Sequence, residues 1–500
     1  MTPTQSGDDE ARDARIDEVV ARILSRQAQA LSSTAGQDRS GDAGAMEREA
    51  RAATRRVDTS ASDRADISEV EYRQVRLERV VLVGLRTTQS EEEAENSLRE
   101  LAALAETAGS RVMDGVIQRR SLPDPATYLG SGKAKELADI VRAHEADTVI
   151  VDEELAPSQR RGLEDVVDAK VVDRTALILD IFAQHAKSRE GKAQVELAQL
   201  EYLLPRLRGW GESMSRQAGG RVAGGAGIGS RGPGETKIEL DRRRIRARMA
   251  KLKAEIARME PARRTQRGAR RRGGVPSVAI AGYTNAGKST LLNRLTDAGV
   301  LVEDALFATL DPTVRRARTA DGREYTLTDT VGFVRNLPTQ LVEAFRSTLE
   351  EVGAADVLLH VVDAAHPDPV SQVEAVRAVL SGIEGADRVP ELIALNKADL
   401  ATPEQLAVLR TAFPGSVALS AKTWYGVGTL RAALEDLLPR PSVLIDVVIP
   451  YSAGSLVHRV HEEGEVEREE YAAEGTRLVA RVDEALAAAV RAATASRADE

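Results

Sequence analysis

Eight consecutive residues in the middle of the chain have the clearest chemistry: Gly282-Tyr283-Thr284-Asn285-Ala286-Gly287-Lys288-Ser289. This segment fits the pattern G-x-x-x-x-G-K-[ST], follows an apolar run over 275–281, and opens a helical pattern at Thr290. The backbone N–H groups of such a loop, with the positive end of the following helix, bind polyphosphate oxygens. We expect nucleotide contacts from Gly282 through Thr290, with Lys288 on the β- and γ-phosphates and the Ser289 hydroxyl on Mg²⁺.

Two further segments indicate which base is bound. The segment Asn396-Lys397-Ala398-Asp399 ends an apolar run over 392–395, and Ser420-Ala421-Lys422 follows a second short run. A carboxylate at Asp399 can accept from guanine N1–H and the 2-amino group, a donor pair that adenine lacks. We expect Asn396 to brace this loop, the Lys397 stem to lie over the ring, and the segment 420–422 to direct a backbone N–H at guanine O6. The order of these motifs predicts GTP and GDP as ligands.

The segment Asp329-Thr330-Val331-Gly332 completes the predicted catalytic set. Asp329 would hold Mg²⁺ through water, and the Gly332 N–H would meet the γ-phosphate, so this loop would sense whether that phosphate is present. The candidate first switch is 306–313, where Thr309 is the favoured Mg²⁺ ligand and Thr313 is the alternative. The catalytic prediction is therefore Lys288, Thr309, Asp329 and Gly332, with Mg²⁺ on Ser289, Thr309 and Asp329.

Two residues depart from a generic GTPase. Phe333 follows Gly332, where many GTPases place a glutamine that orients the attacking water. Phenylalanine cannot do this, so we expect slow intrinsic hydrolysis that a partner accelerates. Asn285 lies inside the phosphate loop, where its amide oxygen could ligate a monovalent cation such as K⁺ that neutralises phosphate charge. A simple role in a left-handed turn is an equal alternative for Asn285.

Composition limits the classes of protein that fit this chain. The 500 residues contain no cysteine, which excludes disulfides and thiolate chemistry and favours a cytoplasmic location. No apolar run approaches the ~18 residues of a membrane span, and no signal-like start is present. The net charge of −9 hides a basic stretch over 235–272, with fifteen Lys/Arg against five Asp/Glu. RNA is the first candidate for contact with that stretch, and a solvated helix face with salt bridges is the alternative.

The pattern along the chain predicts an α/β fold class in several domains. Residues 1–70 lack aromatic residues and are predicted to be a disordered extension, with a candidate short helix at 16–23. A small α/β domain over 71–186 precedes a basic helical hairpin over 187–273. A P-loop G domain, a mostly parallel sheet with helices on both faces, is predicted for 274–440. A small α+β tail over 441–500 follows.

The hairpin is predicted from spacing. Leu197, Leu200, Leu204 and Leu207 recur every three or four residues on the first arm, as do apolar residues from Ile245 to Met259 on the second. Pro205 should kink or end the first arm. The connecting stretch 219–234 contains eight glycines and is predicted to be a loop that can approach a surface closely. In the tail, strands are predicted at 443–449 and 465–471 and a helix at 479–493.

From about residue 75 onward, the chain resembles the HflX-type GTPases of the translation-factor-related class. The most specific stretches are 126–133, 174–210 and Arg231-Gly232-Pro233-Gly234-Glu235-Thr236-Lys237, with the switch segments 306–313 and 329–333. The resemblance implies a G domain that binds and hydrolyses GTP, and an N-terminal domain and hairpin that dock on the rRNA and proteins of the large (50S) ribosomal subunit. It also implies a glycine loop directed toward the peptidyl-transferase region, and a role in splitting or rescuing ribosomes under stress.

The leading hypothesis is therefore a ribosome-associated GTPase with slow basal turnover. The alternatives are a non-ribosomal regulatory switch that acts on a protein partner, and an RNA-binding protein whose G domain has lost turnover. Nothing in the sequence indicates an obligate oligomer, so we expect a monomer.

Overall fold

The computed structural model describes residues 12, 14–26, 79–87, 90–207, 233–272, 275–296, 306–307, 313–320, 322–439, 443–482 and 484–495. The chain divides into two compact units, Met1–Asp180 and Ile181–Glu500. Among the helices that the structure describes, none combines the length and the apolar character needed to cross a bilayer.

The first unit is built on a four-stranded parallel sheet. Its elements in chain order are α1 (residues 14–26), β1 (Arg79–Arg86), α2 (Glu91–Thr107), β2 (Arg111–Arg119), α3 (Ser131–His144), β3 (Thr148–Val151), α4 (Pro157–Val167), β4 (Lys170–Asp173) and α5 (Arg174–His185), which continues into the second unit. The strand order is β2-β1-β3-β4. Ser90 and Glu93 form the capping box expected at the start of α2. Apolar strand residues such as Val81 and Val149 pack with Leu137 and Leu163 in the core.

Helix α1 differs from the expectation of a disordered extension. It lies where the sequence predicts a short helix, and it buries Ile16, Val20 and Ile23. Arg26 pairs at 2.7 Å with Asp114, which is buried in β2. The apolar face and this ion pair give α1 enough contact with its own domain to offset the entropy of ordering, so residues 14–26 belong to the first unit.

The hairpin in the second unit consists of α6 (Arg189–Arg206) and α7 (Pro233–Arg272). Helix α6 ends one residue after Pro205, as predicted. The two arms meet through Ala193, Leu197 and Leu252, with partly buried neighbours Leu200, Met249 and Ile256. Three ion pairs also join the arms: Arg189–Glu255 at 2.7 Å, Arg248–Glu196 at 2.6 Å and Lys253–Glu201 at 2.9 Å.

A six-stranded sheet forms the centre of the second unit. Its elements are β5 (Ser277–Gly282), α8 (Lys288–Thr296), β6 (Thr313–Arg318), β7 (Glu324–Asp329), α9 (Thr339–Ala344), α10 (Arg346–Gly353), β8 (Val357–Asp363), α11 (Pro369–Leu380), β9 (Glu391–Asn396), α12 (Pro403–Ala412), β10 (Val417–Ala418) and α13 (Val427–Leu437), with a 3-10 turn at Ala386–Arg388. The order is β10-β9-β8-β5-β7-β6, and β6 alone pairs antiparallel. The connections reverse direction at β5, so a ligand crevice is expected at its carboxyl end.

The tail contains β11 (Val443–Ile449), a 3-10 turn at Tyr451–Ala453, α14 (Gly454–Glu463), β12 (Glu465–Ala472), β13 (Gly475–Val482) and α15 (Glu484–Ala495). The three strands form an antiparallel sheet in the order β11-β13-β12. The prediction of a helix over 479–493 was wrong at its start, because residues up to Val482 belong to β13. Alternate residues Leu478, Ala480 and Val482 of that strand are fully buried, which is the period of a strand.

Candidate nucleotide site

The phosphate loop leaves β5 with two glycines that no other residue could replace. Gly282 has φ of +152°, and a Cβ there would lie 2.2 Å from the Val361 carbonyl oxygen. Gly287 has φ of +90°, and its Cβ would lie 2.3 Å from the Asn396 side-chain nitrogen. Both contacts are far inside van der Waals separation, so the loop can take this path only with glycine at each position.

Lys288 begins helix α8 and is buried. Its Nζ donates a hydrogen bond to the Tyr283 carbonyl at 2.8 Å, which holds the ammonium within the loop. Burial lowers the pKa of Lys288 to about 8, and the nearby Asp329 carboxylate opposes that shift. The ammonium group is therefore poorly solvated and would gain from an anionic ligand.

The two predicted Mg²⁺ ligands Ser289 and Asp329 lie side by side. The Ser289 hydroxyl donates to Asp329 Oδ2 at 2.7 Å, across the carboxyl edge of the sheet. A hydroxyl and a carboxylate in contact fit the hard oxygen ligands that Mg²⁺ prefers, with phosphate oxygens and water filling the other positions. Thr309 lies outside the described residues, whereas Thr313 opens β6 and pairs in register with Asp329.

The segment after Gly332 is joined to the phosphate loop by backbone hydrogen bonds. The Thr284 N–H donates to the Phe333 carbonyl at 2.7 Å, and the Phe333 N–H donates to the Gly282 carbonyl at 3.2 Å. The Tyr283 hydroxyl also accepts a hydrogen bond from the Arg335 N–H. The Phe333 side chain is 2% exposed and has no polar atom, so it cannot orient a water molecule.

Asn396, the first residue of the predicted guanine-binding segment 396–399, connects the phosphate loop to the second such segment, 420–422. Its Nδ2 donates to the Ala286 carbonyl at 2.8 Å, and its Oδ1 accepts from the Ala421 N–H at 2.9 Å. These are the contacts expected of a residue that braces the site. Asp399 is exposed, three residues further along, with its carboxylate accessible to a ligand.

Other residues of the two predicted guanine-binding segments are positioned by side chains that the sequence analysis did not identify. Lys397 has φ of +59° and pairs with Asp363 at 2.7 Å. Asp363 ends β8 in register with Asn396, so its place at the same sheet edge was a signal that could have been used. Arg294 Nε donates to the Ala421 carbonyl at 2.8 Å, a contact for which the sequence has no signal.

The predicted loop 420–422 is held from both sides. Ser420 is buried, its N–H donates to the Tyr425 carbonyl at 2.9 Å, and its hydroxyl accepts from the Thr423 N–H at 3.1 Å. The Arg294 guanidinium lies over the Trp424 ring, 4.8 Å from its centroid. Lys422 is exposed at the end of this loop. The backbone near Ala421 is therefore fixed before any ligand arrives.

Asn285 is exposed and has φ of +57°. Asparagine tolerates this left-handed region better than most residues, so the turn role is compatible with the geometry. An exposed amide at this position can also contact a cation beside bound phosphates. The geometry is therefore compatible with both the turn role and the cation role of Asn285.

Comparison with known proteins identifies the family. A GTPase HflX from Caldanaerobacter subterraneus subsp. tengcongensis is 45% identical over 405 residues, covering 81% of this chain and 91% of the relative. The Escherichia coli GTPase HflX is 43% identical over 395 residues, covering 78% of this chain and 90% of that protein. The chain belongs to the HflX GTPase family. Its membership confirms the resemblance seen in the sequence, and the protein is a GTPase that converts GTP to GDP and phosphate.

Family models match this chain in three consecutive parts. Residues 95–183 match a model described as GTP-binding GTPase N-terminal, and 185–270 match GTP-binding GTPase Middle Region. Residues 277–397 match a model described as 50S ribosome-binding GTPase, which confirms the predicted P-loop G domain. Among solved structures, a GTP-binding protein from Sulfolobus solfataricus in complex with GDP is 25% identical, covering 72% of this chain and 98% of that chain with a TM-score of 0.38.

Proposed function

We propose that this HflX-family GTPase binds the large ribosomal subunit through its basic hairpin, and splits or rescues ribosomes with turnover that the subunit stimulates. The description of the matching G-domain model as a 50S ribosome-binding GTPase supports the partner. The observation that carries the proposal is a cationic side of α7 whose charges are not neutralised within the described part of the chain.

The charges of α7 divide between its two sides. Leu252 faces α6, and the ion pairs of Arg248 and Lys253 join the arms beside it. Arg243, Lys251 and Arg258 are exposed and form no ion pair with any described residue. Spacings of eight and seven residues keep these three on one side of the helix, opposite the side that contacts α6. Cations that share one side of a helix and form no ion pair with described residues favour contact with phosphate groups of RNA.

A physical connection leads from the nucleotide site to the hairpin. Helix α9, which follows the Gly332 segment, contacts α6 of the hairpin. Phe182 of α5 lies 5.0 Å from Phe345, next to α9, and 4.4 Å from Phe307 of the candidate first switch, measured between ring centroids. A change in either switch on loss of the γ-phosphate would therefore reach side chains that pack against the hairpin or its preceding helix.

We propose the following roles at the site, which the contacts described above for Lys288, Ser289, Asp329 and Asn396 support. Lys288 would stabilise the β- and γ-phosphates, and the Gly332 N–H would contact the γ-phosphate. Ser289, Asp329 (through water) and Thr309 would hold Mg²⁺. Asp399 selects guanine, and the backbone near Ala421 meets guanine O6. The bound ion supplies charge neutralisation at the phosphates.

The test is GTP turnover with and without purified large ribosomal subunits. We expect a many-fold rise for the native protein, and loss of that rise, with basal turnover kept, when Arg243, Lys251 and Arg258 are all changed to alanine. A matched control replaces exposed arginines outside the hairpin at 388, 410 and 491, so the charge change is equal. Full stimulation of the hairpin variant would contradict the proposed contact. No stimulation of native protein that still binds GTP would favour a switch acting on a protein partner.

We further propose that Asn285 ligates K⁺ beside the bound phosphates. Hydrolysis should then be faster in potassium than in sodium at equal ionic strength. Na⁺ is smaller than K⁺, so it needs shorter distances to its oxygen ligands than a site built for K⁺ provides. Asn285→Gly is the matched variant, since glycine accepts the left-handed backbone and removes only the amide. Equal rates of the native protein in the two salts would leave Asn285 with the turn role alone.

A further inference from the structure

Thr284 is a polar residue in the phosphate loop whose hydroxyl makes no hydrogen bond within the described part of the chain. Its backbone N–H is used, donating to the Phe333 carbonyl at 2.7 Å. Its side chain is buried, with 7% of the residue exposed, and its Oγ1 has no hydrogen-bond partner among the described residues. A buried hydroxyl without a partner costs about 1–3 kcal/mol, so its retention needs a reason.

The position of the Thr284 side chain suggests what its unpaired hydroxyl could bind. A Cβ placed on Gly332 would lie 2.7 Å from Thr284 Cγ2 and 3.0 Å from Lys288 Nζ. Gly332 and Lys288 are the two groups expected at the γ-phosphate, so Thr284 stands at that end of the site. The methyl group of Thr284 is the side-chain atom near Gly332, and the hydroxyl is carried by the same Cβ, so it lies at the same end of the site.

With Phe333 in place of a glutamine, the attacking water lacks the side-chain partner that many GTPases provide. In hydrolysis a water oxygen forms a bond to the γ-phosphorus, and the bond to the bridging oxygen breaks, leaving its electron pair on GDP. The water proton ends on the released phosphate. A hydrogen bond that holds this water in line accelerates the step, and the Phe333 side chain is apolar and 2% exposed.

We infer that Thr284 is a further catalytic residue, whose hydroxyl hydrogen-bonds the attacking water at the γ-phosphate. A hydroxyl both donates and accepts, so it can accept from the water while donating to a γ-phosphate oxygen. The inference rests on GTP hydrolysis alone and does not depend on the ribosomal partner.

Two substitutions separate the hydroxyl from the methyl group. Thr284→Val keeps the shape and removes the hydroxyl, whereas Thr284→Ser keeps the hydroxyl and removes the methyl. We expect the valine variant to lose about 10²-fold in single-turnover rate at saturating GTP, the typical loss for one oriented hydrogen bond in a transition state. The serine variant should keep most of the native rate.

Binding and folding are measured on the same proteins. GDP affinity of the valine variant should stay within about threefold of native, because the hydroxyl acts at the γ-phosphate. A valine variant that hydrolyses GTP at the native rate would overturn the inference. So would a serine variant as slow as the valine variant, because packing of the methyl against Gly332 would then be the cause. A rate loss matched by an equal loss of GDP affinity or of thermal stability would also overturn it.

Discussion

Replacing Asn396 by alanine tests whether the phosphate loop and the two predicted guanine-binding segments, 396–399 and 420–422, are held as one unit. The substitution removes two buried hydrogen bonds, the 2.8 Å bond to the Ala286 carbonyl and the 2.9 Å bond from the Ala421 N–H. Each neutral bond contributes about 1 kcal/mol net, and a buried partner left unpaired adds a penalty of about 1–3 kcal/mol. These two figures are alternatives for each bond, depending on whether the partner can be rehydrated, so the combined loss for the two bonds is about 2–4 kcal/mol, from about 1 kcal/mol each to about 2 kcal/mol each.

This loss should appear in nucleotide affinity. In the free variant the two loops can shift and hydrate the exposed groups, but a bound nucleotide requires both loops in their native positions. A loss of about 2–4 kcal/mol corresponds to an increase of about 30- to 1,000-fold in Kd. The two side-chain hydrogen bonds of Asn396 go to Ala286 and Ala421 and not to the loop 329–332, so GDP and GTP should be weakened by the same factor.

The assay is a fluorescence titration of GDP and of a slowly hydrolysed GTP analogue at fixed Mg²⁺. Glu374→Ala is the matched control, because Glu374 is exposed on α11 and forms no contact with a described polar partner. Its effect should stay within about 0.5 kcal/mol. Affinities of Asn396→Ala within about threefold of native would refute the bracing argument. A loss confined to the GTP analogue would show that the residue acts through the γ-phosphate instead.

Two further predictions concern the guanine base and the phosphates of the bound nucleotide. Asp399→Asn should weaken GDP binding and improve xanthosine diphosphate binding, because the amide can donate to the xanthine oxygen where guanine has an amino group; unchanged guanine affinity would contradict the assignment. GDP affinity should also fall about fourfold between pH 7 and pH 8.5, because the free protein loses the Lys288 proton around pH 8 while the bound phosphates need it. Titrations that give one Kd across this range would show that the ammonium remains charged.

Sequence reasoning was most successful where the chemistry is local. The phosphate loop needs glycine at fixed points, a lysine and a hydroxyl within eight residues, so its pattern alone specifies strand, turn and helix. The capping box of Ser90 and Glu93 and the end of α6 after Pro205 are local in the same sense. Roles of individual site residues, Thr309 above all, stay predictions.

Features that depend on which elements become neighbours were missed. The Lys397–Asp363 pair exists because β8 and β9 are adjacent in register, which the linear sequence does not state. The candidate helix at 16–23 was predicted within a disordered extension, because the sequence does not show that the first unit offers a surface that buries Ile16 and Ile23. The start of the tail helix was misplaced because the alanine-rich helix that begins at Glu484 follows the last residues of the strand almost directly.

The stacking of Arg294 on Trp424 gives this protein a built-in optical probe. The chain has two tryptophans, and Trp210 lies outside the described residues. Trp424 is 47% exposed and sits four residues beyond Ser420, with its ring covered by the same arginine that holds the Ala421 carbonyl. A guanine ring entering beside this loop changes the polarity around the indole. In a Trp210→Phe background, the emission of Trp424 therefore reports occupancy of the base pocket in real time, without a labelled nucleotide.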